Sequence, residues 1–272
     1  MISPTGARTA LNTPQAIIVT GAAGGIGSAV LTTLMHRSAE HGHPTFFAAD
    51  TAYPTAAGGG ESRDVLHRHL DVSDPGSVDE LFAEVAAGYD LRAVVHAAGV
   101  LATGPAVLTP PAAARELFSV NALGTILVAS AAAATMLSQD RERWRDNTRS
   151  ITTIASNAAN GPRANFSVYG ASKAAAASFT RSLGLEVGAA GIRCNVVDPG
   201  TTATRMVEAM WGGADRSREA VAGDPSLFRP GIPLGRIAQP QDIAESVDFL
   251  VSPRAAHVTL AQLSVDGGAT QR

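Results

Sequence analysis

The segment that decides the fold reads Thr20-Gly-Ala-Ala-Gly-Gly-Ile-Gly27 and follows the apolar run Ala16-Ile-Ile-Val19. A short apolar run, a glycine-rich turn and then a helical pattern are typical of a strand–turn–helix unit that binds a nucleotide. Because glycine has no Cβ, the backbone N–H groups of such a turn and the N-terminus of the next helix can approach a pyrophosphate. Tight turns that only pack also carry several glycines, so the rest of the chain has to support this interpretation.

Short β-branched runs alternate with longer Ala- and Leu-rich stretches along the chain. The predicted strands are Ala16–Thr20, Thr45–Asp50, Val65–Leu70, Ala93–His96, Ser150–Ala155, Arg193–Val197 and Leu260–Val265. The predicted helices are Ile26–Ser38, Val78–Ala87, Pro111–Ser138, Val168–Ala189 and Pro240–Leu250. This alternation requires parallel strands with right-handed crossovers. We therefore predict an α/β fold, a single Rossmann-like doubly wound domain over residues 1–272 with a seven-stranded parallel sheet.

Three segments fall outside this alternation. Residues 1–13 are polar and are expected to be flexible, and Thr55–Ser62 has the composition of a surface loop. Residues 201–232 are rich in Met, Trp, Gly and Pro. A long irregular segment of this kind in an α/β chain is typical of a lid over a binding site.

The composition excludes several classes of protein. Apolar residues make up 45% and charged residues 17% of the 272 residues, which indicates a sizeable core. A net charge of −3 gives no basic field for nucleic acid. The single cysteine, Cys194, excludes an internal disulfide and a multi-cysteine metal site. We expect a soluble cytoplasmic protein without a signal peptide, membrane span, metal or nucleic-acid partner.

Asp50 is the last residue of the second predicted strand. At this position a carboxylate can accept hydrogen bonds from the ribose hydroxyls of adenosine, and it would repel a 2′-phosphate. The glycine turn and the residues just after Asp50 contain no Lys or Arg. The expected cofactor is therefore NAD rather than NADP, unless Asp50 is only a solvated charge at the end of a strand. The turns at Asp71-Val72 and Ala97-Ala98-Gly99 follow the third and fourth strands and are expected at the same sheet edge.

The segment Tyr169-Gly-Ala-Ser-Lys173 places a phenol and an ammonium one helical turn apart. Lys173 is the only lysine in the sequence, although Arg fills the other twenty basic positions. A nearby ammonium lowers the pKa of a tyrosine, so Tyr169 is a candidate general base. Ser156 ends the fifth predicted strand and could hold a substrate oxygen, although such a serine often serves only the turn. Asn121 lies in mid-helix, where its poor helix propensity suggests that its amide holds a water or a backbone group.

These residues together resemble the short-chain dehydrogenase/reductase family over about residues 14–270. The matching motifs are TGAAGGIG, the tetrad Asn121, Ser156, Tyr169 and Lys173, Asp198-Pro-Gly200, and Val265-Asp-Gly-Gly268. The resemblance implies NAD(P)-dependent hydride transfer and a homotetramer. It implies that Tyr169 is the acid/base, that Ser156 holds the reacting oxygen, and that Asn121 carries a proton-relay water. Lys173 would lower the pKa of Tyr169 and hold the nicotinamide ribose.

The resemblance also implies a set of cofactor-binding positions. They are Gly21, Gly25, Ile26, Gly27, Asp50, Asp71, Val72, Ala98, Gly99, Tyr169, Lys173, Pro199, Gly200, Thr202 and Thr204. The chain departs from the family at His96-Ala-Ala-Gly99, where the usual pattern is Asn-Asn-Ala-Gly. We therefore expect only backbone contacts with the cofactor from this turn.

The second half of the chain is similar to a narrower group in that family, the 2,3-dihydro-2,3-dihydroxybenzoate dehydrogenases. The similar stretches are Ser156-Asn-Ala-Ala with Pro162-Arg163, Tyr169–Ala174, Gly191–Gly200, Gly231–Ala238 and His257–Leu260. The implied reaction oxidises the C3 hydroxyl of a cyclohexadiene carboxylate and leads to an aromatic product. The substrate carboxylate needs a cation, for which Arg163 is the first candidate and Arg205 the second. Apolar contacts with the ring are expected from Leu101, Met206, Met210 and Trp211.

The sequence leaves several alternatives open. A 2-amino analogue would undergo the same reaction and give 3-hydroxyanthranilate, and Thr103, Asn157 and Asn165 are the positions that could face the substituent at C2. A 3-oxoacyl carrier-protein reductase or a sugar-alcohol dehydrogenase of the same family is a broader alternative. A nucleotide sensor without catalysis would share the fold, but the intact tetrad argues against it. Arg163 could also be one more solvated surface arginine, and the Met and Trp side chains could pack only within the lid.

Overall fold

The strands of the described chain form one sheet. The structure is a computed structural model that describes residues 13–55, 64–139 and 148–270. Its strands are β1 (Gln15–Thr20), β2 (Thr45–Asp50), β3 (Val65–His69), β4 (Asp90–His96), β5 (Arg149–Ile154), β6 (Ile192–Pro199) and β7 (Gln262–Val265). They are parallel and lie in the order β3-β2-β1-β4-β5-β6-β7. The predicted fold class is thereby confirmed.

Two of the expected flexible segments cannot be compared with the structure. Nearly all of residues 1–13 and most of Thr55–Ser62 lie outside the described residues.

The helices cover both faces of the sheet. They are α1 (Gly25–His36), α2 (Pro75–Gly88), α3 (Pro111–Leu117), α4 (Gly124–Ser138), α5 (Ser167–Val187), α6 (Arg205–Met210), α7 (Ser217–Ala222) and α8 (Pro240–Val251). Buried side chains of α1 and α8 form one apolar core with one face of the sheet. Buried side chains of α2, α4 and α5 form the second core on the opposite face. The strands are covered on both sides, as expected for a parallel sheet.

The predicted helix Pro111–Ser138 is not continuous. A wider π-helical turn at Phe118–Leu123 separates α3 from α4 and contains Asn121. The buried Asn121 amide makes a reciprocal pair of 2.9 Å hydrogen bonds with the backbone N–H and carbonyl of Val100, which fixes the side chain away from the helix. A π-turn inside a helix commonly marks a functional position.

The seventh strand also begins later than predicted. Leu260 has φ +61°, a left-handed conformation that a strand residue cannot adopt, so β7 starts at Gln262. The Leu260 N–H still donates to the Cys194 carbonyl at 2.7 Å, and its side chain lies against Gly184 of α5.

Residues 201–232, called the lid below, contain α6, α7 and a short 3₁₀ turn at Pro225–Leu227. The lid starts at the end of β6, so it covers the carboxyl edge of the sheet. Thr204 lies directly over Gly25, where an added Cβ would be 2.7 Å from the Thr204 methyl carbon. The lid therefore packs against the glycine turn.

One helical stretch, Pro111–Ser138, is long and apolar enough to cross a membrane by length and composition. Half of its most apolar window is buried, with Val128, Ala129 and Ala132 in the second core. A core helix of a globular domain has the same properties.

We predict that Gly27→Ala disrupts the glycine turn. A Cβ on Gly27 would lie 2.1 Å from the Gly21 carbonyl oxygen, so α1 would have to move. Urea denaturation is expected to show a loss of about 2 kcal/mol or more, as for other overpacked buried positions. Calorimetry should show weaker dinucleotide binding.

The matched control is Gly88→Ala, at the end of α2. Nothing lies within 4 Å of a Cβ at this position, so stability should stay equal or rise slightly. Equal behaviour of the two variants would contradict the tight-packing account of Gly27.

Candidate active site

The glycine turn packs against the end of β4. A Cβ on Gly21, whose φ is +66°, would lie 2.6 Å from the backbone N of Ala98. The Thr20 hydroxyl fixes the same junction, because it is 2.9 Å from His96 Nδ1 and 3.4 Å from the Ala98 N–H that donates to it. The backbone of the turn is thereby open for a ligand at the N-terminus of α1.

Asp50 is bonded to this turn. One carboxylate oxygen accepts from the Ala23 N–H at 3.0 Å and the other from the Ala52 N–H at 2.9 Å. A negative charge is thus held next to the glycine turn, at the position predicted to bind a ribose.

Arg205 does not lie where the sequence analysis expected it. This exposed side chain donates to the Ala23 carbonyl at 3.1 Å and is not part of either cavity described below. It starts α6, whose next residue, Met206, does line the smaller cavity. The structure therefore does not bring Arg205 to the cavities, and its role at the substrate carboxylate stays a prediction. Sequence proximity to Met206 gave no information about the direction of the side chain.

The turn after β3 uses Asp71 mainly for its own conformation. Its carboxylate accepts from the Ser73 N–H at 2.9 Å and the Ser73 hydroxyl at 2.7 Å. Val72 is buried in the second core and contacts Gly124. Of Val72, mainly the backbone is available to a ligand, so its role in cofactor binding stays a prediction.

The four predicted catalytic residues come together at the carboxyl edge of the sheet. Ser156 follows β5, Tyr169 and Lys173 lie in the first two turns of α5, and Asn121 lies in the π-turn. The Ser156 hydroxyl lies close enough to the Tyr169 phenol to lower the pKa of that phenol. Asn121 donates to the Ser172 hydroxyl at 3.0 Å. Tyr169 and Lys173 of α5 therefore lie beside Ser156 at the end of β5.

Lys173 is buried and held against the sheet. Its ammonium donates to the Ile154 carbonyl at 2.9 Å, and a Cβ on Gly99 would lie 3.0 Å from Nζ. Burial lowers the pKa of Lys173 to about 8, although the charge of Asp198 opposes this shift. A wider guanidinium would not fit between these groups, which explains why this position holds a lysine in an arginine-rich chain.

The pKa of Tyr169 is raised, which differs from the expected lowering. Burial raises the pKa of this phenol, and the charge of Asp198 adds to the effect. The Ser156 hydroxyl and the charge of Arg163 lower the pKa, but they do not offset the burial. The ammonium of Lys173 points to the Ile154 carbonyl instead.

His96, which stands where the family usually has Asn, is a neutral buried group. Burial and the nearby charge of Lys173 lower its pKa to about 3. Its Nδ1 contacts the Thr20 hydroxyl, so the imidazole supports the glycine turn. Ala97 and Gly99 of the turn after β4 line the smaller of the two cavities described below.

Asp198, near the end of β6, is buried and hydrogen-bonded close to the end of β5. One oxygen of the buried carboxylate accepts from the Asn160 amide and from the Gln262 amide, the latter at 2.8 Å. Burial raises the pKa of Asp198 to about 6, while these hydrogen bonds and Lys173 oppose the shift. The carboxylate thus connects the segment after β5 with the start of β7.

Two adjoining cavities meet at Arg163 and Phe166. The smaller one, of about 120 Å³, is the catalytic cavity. Its lining includes the predicted site residues Ile26, Gly99, Leu101, Ser156, Tyr169, Lys173, Pro199, Gly200, Thr202, Thr204, Met206 and Met210. The larger one, of about 810 Å³, is called the outer cavity. Its lining includes the predicted residues Thr103, Asn157, Asn165, Met210 and Trp211.

Arg163 lies between the two cavities. It donates to the Asn157 side-chain oxygen at 3.0 Å, and its guanidinium carbon lies 4.5 Å from the ring centre of Phe166. Among the described residues, no acid forms an ion pair with it. Burial lowers the pKa of Arg163, and the charge of Arg229 adds to that effect. A half-buried cation without an acid is suited to bind an anionic ligand.

Sequence reasoning missed two residues that shape the site. Phe166 lines both cavities and stacks on Arg163, and an aromatic residue three positions before Tyr169 was the available signal. Arg229 lines the outer cavity, but nothing in the sequence distinguished it from the other arginines.

Comparison with known proteins agrees with this geometry. The family model described as enoyl-(acyl carrier protein) reductase matches residues 21–270. The chain belongs to the short-chain dehydrogenase/reductase family.

Three relatives illustrate this membership. The vibriobactin-specific 2,3-dihydro-2,3-dihydroxybenzoate dehydrogenase of Vibrio cholerae serotype O1 is 37% identical over 93% of this chain and 95% of its own length. The 2,3-dihydro-2,3-dihydroxybenzoate dehydrogenase of Bacillus subtilis is 36% identical over 93% and 94%. The aldohexose dehydrogenase structure from Thermoplasma acidophilum covers 95% of both chains with a TM-score of 0.79 and 26% identity. The chain closely resembles the 2,3-dihydro-2,3-dihydroxybenzoate dehydrogenases.

We predict that Arg163→Leu changes the pH dependence of catalysis. The charge of Arg163 lowers the pKa of Tyr169, so its removal raises that pKa further. The rising limb of kcat/KM against pH should move to higher pH in the direction of alcohol oxidation. Arg205→Leu is the matched control, because this arginine lies on the glycine turn. An unmoved limb in Arg163→Leu would contradict the coupling of the two side chains.

Proposed function

We propose that this protein is an NAD-dependent dehydrogenase that oxidises the C3 hydroxyl of a 2,3-dihydro-2,3-dihydroxybenzoate-type carboxylate. The observation that carries the proposal is the half-buried Arg163 between the catalytic cavity and the outer cavity. It lies in the stretch whose sequence resembles the dihydroxybenzoate dehydrogenases. A cation at this place supports a small alcohol substrate that carries a carboxylate.

The residues present fit a nicotinamide dinucleotide. The glycine turn leaves no space for a Cβ at Gly21 or Gly27, as expected of a backbone cradle for a pyrophosphate. Asp50 would hold the adenosine ribose and Lys173 the nicotinamide ribose. When bound, the nicotinamide supplies the acceptor for the hydride.

The proton chemistry belongs to Tyr169 and its neighbours. Tyr169 has to lose its proton before it can accept one from the substrate hydroxyl, and its raised pKa moves this loss to more alkaline pH. Ser156 would hold the same substrate oxygen, because its side chain lines the catalytic cavity beside Tyr169. Lys173 keeps a positive charge near the site below its pKa of about 8. Asn121 holds the Val100 backbone in place and could carry the relay water.

Removal of two hydrogens from the dihydrodiol gives a ketone that is one tautomerisation from an aromatic ring. Aromatisation makes the oxidation nearly irreversible, which suits an enzyme that uses NAD. The protein needs to orient only the C3 hydroxyl and the carboxylate for this outcome.

The 2-amino analogue is the second candidate substrate. It keeps the carboxylate and the C3 hydroxyl, so the same residues would act on it. The polar side chains of Thr103, Asn157 and Asn165 line the outer cavity and could face the substituent at C2. Of these, Asn157 already accepts from Arg163 at 3.0 Å. An acyl carrier-protein reductase is less favoured, because Asp50 disfavours NADP and Arg163 favours a small acid.

We also propose a cytoplasmic homotetramer, as family membership implies. Apolar side chains are exposed on α4, on α5 and on the turn before α4. Examples are Leu185 at 73% exposure, Leu123 at 42% and Ile126 at 38%. Exposed apolar side chains on neighbouring helices favour self-association.

The direct test is NADH formation with 2,3-dihydro-2,3-dihydroxybenzoate and with its 2-amino analogue, offered separately to the purified protein. We expect turnover of the dihydrodiol acid and a loss of about a thousandfold or more in Tyr169→Phe, because the proton acceptor is removed. Faster oxidation of the amino compound would change the proposed substrate. Turnover of neither compound, or full activity in Tyr169→Phe, would contradict the proposal.

Asp50 is expected to set the cofactor preference. In Asp50→Ala the ribose loses a charged hydrogen-bond acceptor and the 2′-phosphate loses a repulsive neighbour. The ratio of kcat/KM for NAD to that for NADP should fall by about tenfold or more.

The control for Asp50→Ala combines it with Arg205→Leu, which removes the guanidinium at the same turn. The double variant shows how much of the gained NADP use depends on that charge. An unchanged ratio in Asp50→Ala would exclude Asp50 from the cofactor site.

A further inference from the structure

Two half-buried arginines from different segments line the outer cavity. Arg163 belongs to the segment between β5 and α5, and Arg229 belongs to the end of the lid. Both side chains are half-buried. Within the described ranges, neither guanidinium forms an ion pair with a carboxylate. Two half-buried cations therefore line one cavity, and no acid of the described residues is bound directly to either.

The position of Arg229 is fixed by the lid itself. Its guanidinium donates to the Glu219 carbonyl at 3.3 Å. Its backbone pairs with Asp224 through hydrogen bonds of 2.9 and 2.8 Å. A Cβ on Gly223, whose φ is +79°, would lie 2.6 Å from the Arg229 carbonyl oxygen, so only glycine permits this close pairing. The Arg229 backbone is thus held rigidly against the end of α7.

The charges around the cavity leave a positive excess. The lining contains Arg163, Arg216 and Arg229 against the two acids Glu219 and Asp224. The Asp224 carboxylate already accepts from the Ser226 N–H at 3.0 Å and from the Ser226 hydroxyl at 2.6 Å. Repulsion between Arg163 and Arg229 is relieved when an anion binds between them.

We propose that Arg163 and Arg229 bind the substrate carboxylate together, with Arg163 fixed on the body of the protein and Arg229 carried by the lid. The inference rests on the proposed function and adds a second specificity residue to it. Two guanidinium groups that line one cavity can each donate charge-assisted hydrogen bonds to one carboxylate. A ligand with a carboxylate then connects the lid to the body, whereas a neutral ring does not.

The test compares 2,3-dihydroxybenzoate with its neutral isostere 2,3-dihydroxybenzamide in the presence of NAD. Calorimetry measures the Kd of both ligands for the wild type, Arg229→Ala, Arg229→Lys and Arg218→Ala. We expect Arg229→Ala to weaken the acid at least tenfold and the amide less than twofold. Arg229→Lys should recover part of the loss, because the charge remains.

Arg218→Ala is the matched control, since it removes the same charge from α7 outside both cavities. Both of its Kd values should stay within twofold of the wild type. Unchanged binding of the acid in Arg229→Ala overturns the proposal. So does an equal weakening of acid and amide, which would indicate a packing role for Arg229.

Turnover provides the separate readout for the proposed function. If the wild type binds the acid through Arg229 but oxidises neither dihydro acid, the proposed reaction is wrong and the two-arginine site stands. If the dihydrodiol acid is oxidised and Arg229→Ala keeps its KM, the reaction stands and the role of Arg229 is wrong. Failure of the wild type to bind the acid contradicts the two-arginine site.

Discussion

The site depends on one geometric constraint: the parallel strands of the sheet all end at the same edge. The glycine turn follows β1, Asp50 ends β2, Gly99 follows β4 and Ser156 follows β5. The carboxyl ends of parallel strands meet where the order of connections reverses, and ligands bind there in such sheets. The glycine turn and Ser156, more than a hundred positions apart in the chain, are therefore brought to the same edge by the sheet itself.

Burial at this edge shifts the pKa values of the groups that lie there. The only lysine of the chain lies below Gly99 with its pKa lowered to about 8, and the neighbouring His96 is kept neutral. The same burial raises the pKa of Tyr169. Tyr169 and Lys173 thus lie in a poorly solvated space, where a single charge such as that of Arg163 has a larger effect than at the surface.

The periodicity of the sequence was sufficient to predict the strands and the fold class, because a half-buried helix and a buried parallel strand have different apolar patterns. Two departures arose from side-chain contacts that no local pattern contains. Asn121 pairs with the backbone of Val100 and lies in a π-turn that divides one predicted helix. Leu260 adopts a left-handed conformation next to Gly184, which shortens β7.

The sequence by itself determined the family, the glycine turn and the order of the four predicted catalytic residues, because these are short motifs at strand ends. The tertiary structure decided what depends on distances between segments. It placed Arg205 on the glycine turn, gave Tyr169 a raised pKa, and brought Arg229 of the lid to the cavity of Arg163. Side-chain direction and desolvation arise from the packing of distant segments, and a linear pattern contains neither.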